Sequence, residues 1–543
     1  MYRSKFRTAA SMLLAISLIV GMTSLAIAKA PETIPLQILA INDFHGALDP
    51  GSVRGGAEYL STYVNQLRAE NPNTIFVSGG DMIGASPLLS ALFHDEPTIN
   101  AFNQMGLEFS AVGNHEFDEG VAELERIQSG GCNPIDGCLV GEFTGADFKF
   151  MTANVFKDAN DKPLFSPWKI RSFAGVKVAF IGVSLEATPT IVSATGTAGV
   201  YFTSEVEAIS NSVAEIKAQH PDVKTMILII HDGGYQSGWI NSCTNFRDGA
   251  FVNGVLPNID PEIDLVITAH THNAYNCNID NRIVTSSGNN GNFLTDIDLT
   301  LDRETGEILT KTVNNIEILH NVAKDPAMTA LLAPYRELST PLTNRVIGMI
   351  TADIKRTANT TESPLGDVIA DAQLAATSDP AYGGAVVAFM NPGGIRADLL
   401  YATHGGNVTY GDAFTVQPFT NLLVTMTMTG AQIKDMLEQQ WTANRMLQIS
   451  NGFTYSYSVS APVGSKVSNI AINGVPIDPT ASYRITCNNF LAGGGDNFTV
   501  FKQGTDLLVG AIDLDALVDY FQDFYTQGLA VAPGPANRVT ILP

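Results

Sequence analysis

The chain is 543 residues long, 45% hydrophobic and 16% charged, a folded and core-rich composition rather than a disordered or collagen-like one. At about 150 residues per domain it is too long for one core, and two to four domains are expected. Its 54 acidic and 31 basic side chains give a net charge of −23. That excludes a protein that coats nucleic acid or docks on anionic lipid, and it means that an anionic substrate needs a local cation, for which a metal site is the obvious source.

In chain order, Arg3, Lys5 and Arg7 precede an apolar run from about Ala9 to Ala28 that ends Ala26-Ile27-Ala28. This reads as a secretory signal over residues 1–28, and the mature chain is expected to be periplasmic or secreted. No later stretch has 18 uninterrupted apolar residues, so no stable membrane span is expected after cleavage. Five cysteines suit an oxidising compartment. Cys132–Cys138 and Cys243–Cys277 are the expected disulfides, with Cys487 free and buried.

Short apolar runs then alternate with helical stretches. Strands are expected at 36–41, 74–78, 109–112, 177–183, 224–230 and 264–268, and helices at 57–70, 97–106, 118–128 and 204–219. A connecting helix over 325–342 is expected to end at Pro341. A second unit follows, with helices at 363–377 and 430–443 and strands at 385–390 and 483–487. The fold class is α/β, in layers with mostly buried strands. The division is a first domain over 29–324, a linker helix over 325–343 and a second domain over 344–543.

Chemistry-bearing residues follow the strands. Asn42, Asp43 and His45 come after the first, Asp81 after the second, Asn114, His115, Glu116 and Asp118 after the third. His231 follows the run at 224–230, and His270 and His272 the run at 264–268. Open α/β sheets bind ligands at the carboxyl ends of their strands, so these groups can converge. Asp43 and His45, two residues apart, are expected to face the same side of an extended strand exit, as are His270 and His272. Imidazoles with carboxylate and amide oxygens form a dinuclear N/O donor set suited to zinc, manganese, iron or cobalt rather than calcium. His94, His220, His320 and His404 lack such context and read as surface or structural residues.

The blocks DFHG, GGD, GNHEFD, IIHDGG and AHTH resemble the calcineurin-like metallophosphoesterase signature. With the second unit they narrow the resemblance to the 5'-nucleotidase family, over nearly all of the mature chain. The last block usually begins with glycine in that family, and Ala269 stands there here. The resemblance implies a β-sandwich flanked by helices, a helical linker and a second α/β substrate-binding domain. It implies two divalent cations, zinc, manganese or cobalt: one held by Asp43, His45, Asp81 and His272, the other by Asp81, Asn114, His231 and His270. Such a pair lowers the pKa of a shared water, which attacks phosphorus in line with the leaving group. His115, oriented by Asp118, is implied as transition-state stabiliser or proton donor, with Glu116 supporting the ligands.

In the second unit the block Asn391-Pro392-Gly393-Gly394-Ile395-Arg396 resembles the family's N-x-G-G-I-R. Arg396 is implied to grip phosphate or carboxylate, and Asn391 to contact the base. By the same resemblance Phe419 and Phe490 sandwich a nucleobase and Asp496 binds ribose hydroxyls. Better-known members carry a phosphate-binding arginine near the position of Asn359. Here the closest is Arg356, which either reaches in or leaves phosphate more weakly held. The implied activity is hydrolysis of nucleoside 5'-monophosphates to nucleoside and phosphate, with a nucleotide rather than a nucleic-acid polymer as partner. The alternatives are a 2',3'-cyclic phosphodiester, a nucleoside di- or triphosphate, a UDP-sugar or a sulfur ester as substrate, or a secreted binding protein without turnover.

Overall fold

A computed structural model describes residues 32–193, 195–247 and 251–543; the signal read over residues 1–28 lies outside them. Along TIPLQILAI, Ile34, Leu36, Ile38 and Ala40 enter one apolar cluster and Leu39 and Ile41 another. Both faces are covered, and the segment forms strand β1 (Thr33–Ile41). It runs parallel to β2 (Thr74–Ser78), which leads to β3 (Phe109–Ala111) and β4 (Lys149–Met151). A second sheet contains β5 (Trp168–Phe173), β6 (Val176–Val183), β7 (Thr225–Ile230), β8 (Leu265–Ile267), β9 (Ala274–Ile279) and β10 (Arg282–Ser287), in the order β9-β10-β8-β7-β6-β5. A hairpin of β11 (Phe293–Asp302) and β12 (Ile308–Glu317) completes the first sheet as β12-β11-β1-β2-β3-β4.

The two sheets face each other across one apolar layer, in which Leu36 and Ile38 meet Val178, Phe180 and Ile229. Helices α1 (Ala57–Glu70), α2 (Glu96–Met105) and α3 (Val121–Ser129) cover the outside of the first sheet, and α4 (Glu205–Gln219) covers the second. The result is the expected sandwich flanked by helices. Strands β4, β5 and β9 to β12 were not anticipated from the sequence. Their polar positions, such as Asp296 and Asp298, break any continuous apolar run.

Helix α5 (Pro326–Thr343) leads to the second half. It does not end at Pro341. Asn344 N–H donates to Thr340 O at 3.0 Å and the Thr343 hydroxyl to Ser339 O at 2.9 Å, so the last turn closes without the N–H that proline lacks. Helix α6 (Pro364–Thr377) starts from Ser363, whose hydroxyl accepts from Gly366 N–H. It packs beside a sheet of β13 (Val387–Met390), β14 (Leu422–Thr429), β15 (Gln448–Ile449), β16 (Ser482–Asn488) and β17 (Thr505–Ile512), ordered β15-β13-β16-β14-β17. The helix expected over 430–443 divides into Gly430–Glu438 and a single turn, Gln440–Ala443. Leu88 of the first half enters the apolar cluster of the second with Ile347 and Phe414, and a cleft opens between the halves. Both expected disulfides are present, and Cys487 is free and buried.

Candidate active site

The strand-end residues converge. His45 Nε2 lies 3.1 Å from His272 Nε2, and His272 Nε2 lies 3.5 Å from Asp43 Oδ1. His231 Nε2 is 3.1 Å from both Asp81 Oδ2 and Asn114 Oδ1, and His270 Nδ1 is 2.9 Å from the same Asn114 oxygen. Asp81 stands between the two groups, its Oδ2 also 3.9 Å from His45 Nε2. A cation about 2.1 Å from each donor would space adjacent donors roughly 3.0–3.4 Å apart. The observed separations match donors that share a coordination sphere. With no thiolate among them, the set fits zinc, manganese or cobalt.

The convergence does not come from strand alternation. Asp43, His45, Asp81, His270 and His272 lie beyond the ends of β1, β2 and β8 with φ of 50°, 49°, 50°, 67° and 56°. This left-handed backbone costs about 1–3 kcal/mol per non-glycine residue, and the surrounding structure must enforce it. Asp43 N–H donates to Gly80 O at 2.9 Å and His45 N–H to Asp81 O at 3.0 Å, which ties the two turns together. Gly113 is required here: a Cβ would lie 2.2 Å from Asp81 Oδ1.

The candidate ligand side chains are held from behind. His45 Nδ1 donates to Gly84 O at 3.0 Å and His231 Nδ1 to Gly79 O at 2.9 Å, which leaves each Nε2 turned to the centre. Asn42 donates to Asp43 Oδ2 at 2.6 Å and to Gly288 O at 2.7 Å. Glu116 accepts from the backbone N–H groups of Asp81, Met82 and Gly113 at 2.9, 2.8 and 2.6 Å. Burial pushes the His45 and His270 imidazoles down to about 3, keeping them in the neutral form that ligates metal. Burial acts on His231 in the same direction, but Asp81 outweighs it and holds that imidazole up to about 10.

His115 stands at the edge of the group. Its Nδ1 is 2.8 Å from Asp118 Oδ2, and its backbone N–H donates to Asp81 Oδ1 at 2.8 Å. Burial lowers its proton affinity, yet Asp118 and Asp81 together keep it above the ordinary histidine range. With Nδ1 engaged, Nε2 is the atom left for a substrate.

The second half faces this centre across the cleft. Asn114, His115 and His270 line one compartment with Asn391, Arg396, Phe419, Phe490 and Asp496. Neither phenylalanine is a fully buried core residue. Phe419 stacks on His115, with ring centroids 5.6 Å apart and planes at 13°, and Arg396 Cζ lies 5.6 Å from the Phe419 centroid. Phe490 lies against Gly495, where a Cβ would come within 2.5 Å of its ring. Asn391 donates to Asp496 Oδ2 at 3.2 Å. Arg356 lines a second compartment with Asn359, Arg396 and the candidate ligands His45, Asp81, His270 and His272, and it donates to Ile395 O at 3.1 Å.

Asn42 and Arg445 are among the site residues that carry no assignment from the sequence. Asn42 has the polarity of an ordinary turn residue. Arg445 lines both compartments, and its one signal is that no other charged residue occurs between Glu438 and Lys466. The remaining histidines have structural contacts: His94 with Glu119 and Asp136, His320 with Tyr59, His220 with Trp168, and His404 with Asp412.

Residues 36–274 match the calcineurin-like phosphoesterase family and residues 346–503 the 5'-nucleotidase C-terminal domain. The cell wall protein Lmo0130 of Listeria monocytogenes is 32% identical over 98% of this chain and 73% of its own length. Endonuclease YhcR of Bacillus subtilis is 30% identical over 91% of this chain, which spans 40% of that protein. The crystal structure of a 5'-nucleotidase precursor from Thermus thermophilus superposes with a TM-score of 0.77 at 25% identity, over 94% of this chain and 99% of the other. Both matched domains, in this order and over nearly the whole length, show that the chain belongs to the 5'-nucleotidase family of metallophosphoesterases.

Proposed function

We propose that the protein is an exported two-metal phosphohydrolase that converts nucleoside 5'-monophosphates to nucleoside and phosphate. The observation that carries this reading is the pair of donor groups sharing Asp81, facing Phe419, Phe490 and Arg396 across one cleft. Asp43, His45, Asp81 and His272 would hold one cation, and Asp81, Asn114, His231 and His270 the other. When bound, the cations supply Lewis-acid charge and an acidified water.

The chain's own groups do the rest. Arg396 and Arg356 bind the phosphate, a role suited to the guanidinium fork. His115 meets the phosphoryl group or leaving oxygen through Nε2, with Asp118 fixing its orientation. Phe419 and Phe490 hold the base by stacking, Asn391 contacts its edge, and Asp496 accepts from the ribose hydroxyls. The same reading assigns residues 29–324 to catalysis, 325–343 to a linker and 344–543 to specificity. Two disulfides and a relative named as a cell wall protein support export.

The test is phosphate release after metal stripping and repletion with zinc, manganese or cobalt. The panel is AMP, ADP, 2',3'-cyclic AMP and UDP-glucose. The highest kcat/KM is expected for AMP. Preference for another member moves the substrate, and no turnover by the metal-loaded protein leaves a binding protein.

A further inference from the structure

Two compartments meet in the cleft, one holding Phe419, Phe490 and Asp496, the other bounded by the ligand side chains. Among the described residues, only His115, His270, Gly393, Arg396 and Arg445 line both. A nucleotide whose base lies in the first compartment and whose phosphorus reaches the ligands in the second must pass its phosphate through this junction. Two cationic side chains face it, Arg396 and Arg445.

Arg445 is built to stay there. It follows Asn444, whose left-handed backbone (φ 53°) ends the turn Gln440–Ala443. Its own N–H donates to Gln440 O at 3.1 Å, and the next N–H, of Met446, donates to Asn359 O at 2.8 Å. Leu447 N–H is held by the buried Gln440 side chain at 2.8 Å. The guanidinium is under-used by the protein. Nε is buried without a hydrogen-bond partner, its closest carboxylate oxygen is Asp496 Oδ1 at 3.9 Å, and Nη1 reaches Asn444 O at 3.3 Å. A cation with spare donors at this junction suits an anion. Asn359, whose carbonyl pins this segment, lines the metal-side compartment with a neutral side chain, and Arg445 adds to the charge that Arg356 and Arg396 bring there.

We propose that Arg445 binds the phosphate of the nucleotide, opposite Arg396, and sets the preference for phosphorylated over free nucleosides. This rests on the nucleotide reading above. A charge-assisted contact of this kind corresponds to roughly a 10- to 100-fold change in affinity.

The test uses the metal-loaded full chain and calorimetric binding of inorganic phosphate and of adenosine, alongside KM and kcat for AMP. Arg445→Ala is expected to weaken phosphate and AMP by roughly 10- to 100-fold and adenosine by less than about threefold. Arg445→Lys should recover part of the loss, since a point charge remains without the fork. Unchanged phosphate binding overturns the proposal. So does a loss confined to adenosine, which would make Arg445 a support for Asp496. Arg445→Gln carries the same comparison if the alanine variant unfolds. Should the wild type bind phosphate yet release none from AMP, the nucleotidase reading falls while the Arg445 comparison is still decided.

Discussion

Most of the proposed ligand groups of the first half and the proposed substrate-facing groups of the second are held in different ways. Asp43, His45, Asp81, Asn114 and His231 are buried and pinned by backbone carbonyls and N–H groups at the ends of strands. Arg356 is exposed, Arg445 has a third of its side chain exposed, and Phe419 and Phe490 are half-buried, one in a turn and the other in the short helix Asn489–Ala492. A coordination sphere tolerates errors of only tenths of an ångström, so its donors need a sheet on either side and a strained backbone fixed by both. Stacking and charge–charge contacts tolerate more, so a turn or a short helix suffices. The first half is therefore expected to respond to mutation through metal content and kcat, the second through KM.

The hardest blow to the comparison comes from Asp81→Ala. Removing the residue between the two donor groups should lower turnover by on the order of 10³-fold or more and reduce bound metal, read by elemental analysis. Full metal content with full activity would break the assignment. His115→Ala is next, with kcat expected to fall by roughly 10²–10⁴-fold while metal content stays the same, a split that separates it from the ligands beside it.

In the second half, Phe490→Ala should raise KM for AMP by roughly 5- to 100-fold and leave the hydrolysis of a small phosphomonoester without a base unchanged. An equal loss on both substrates would move Phe490 from recognition to structure. Smallest is a change remote from the cleft. Hydrogen bonds from His94 to Glu119, and then to Asp136, hold that imidazole up to about 9. A raised histidine pKa stabilises the fold in full below about pH 6.5, and the effect fades as the pH rises through about 9. After solvent screening, His94→Gln should cost about 1 kcal/mol at pH 6 and nothing above pH 10, measured by denaturant unfolding.

The sequence carried the first half well because buried parallel strands are written as uninterrupted apolar runs. The residue after each run was therefore recognisable as a strand-end residue, as with TIFVS before Gly79, Gly80 and Asp81. Strands β11 and β12 escaped because their outward positions are polar. Arg445 escaped because nothing in NRMLQIS signals that a helix turn ending at Asn444 places its guanidinium in the cleft. Pro341 misled because the last turn of α5 closes through Asn344 and Thr343.

From the chain alone came the identities of the candidate donors, their order, the paired cysteines and the layered α/β class, most of which rest on patterns among nearby residues. Which donors face one another, and which arginines line the cleft beside them, depended on residues more than a hundred positions apart, such as His45 and His272. Only packing of the two sheets sets those distances. The left-handed turns at Asp43, His45 and Asp81 belong to the same class of fact. Their local cost opposes them, and tertiary hydrogen bonds enforce them.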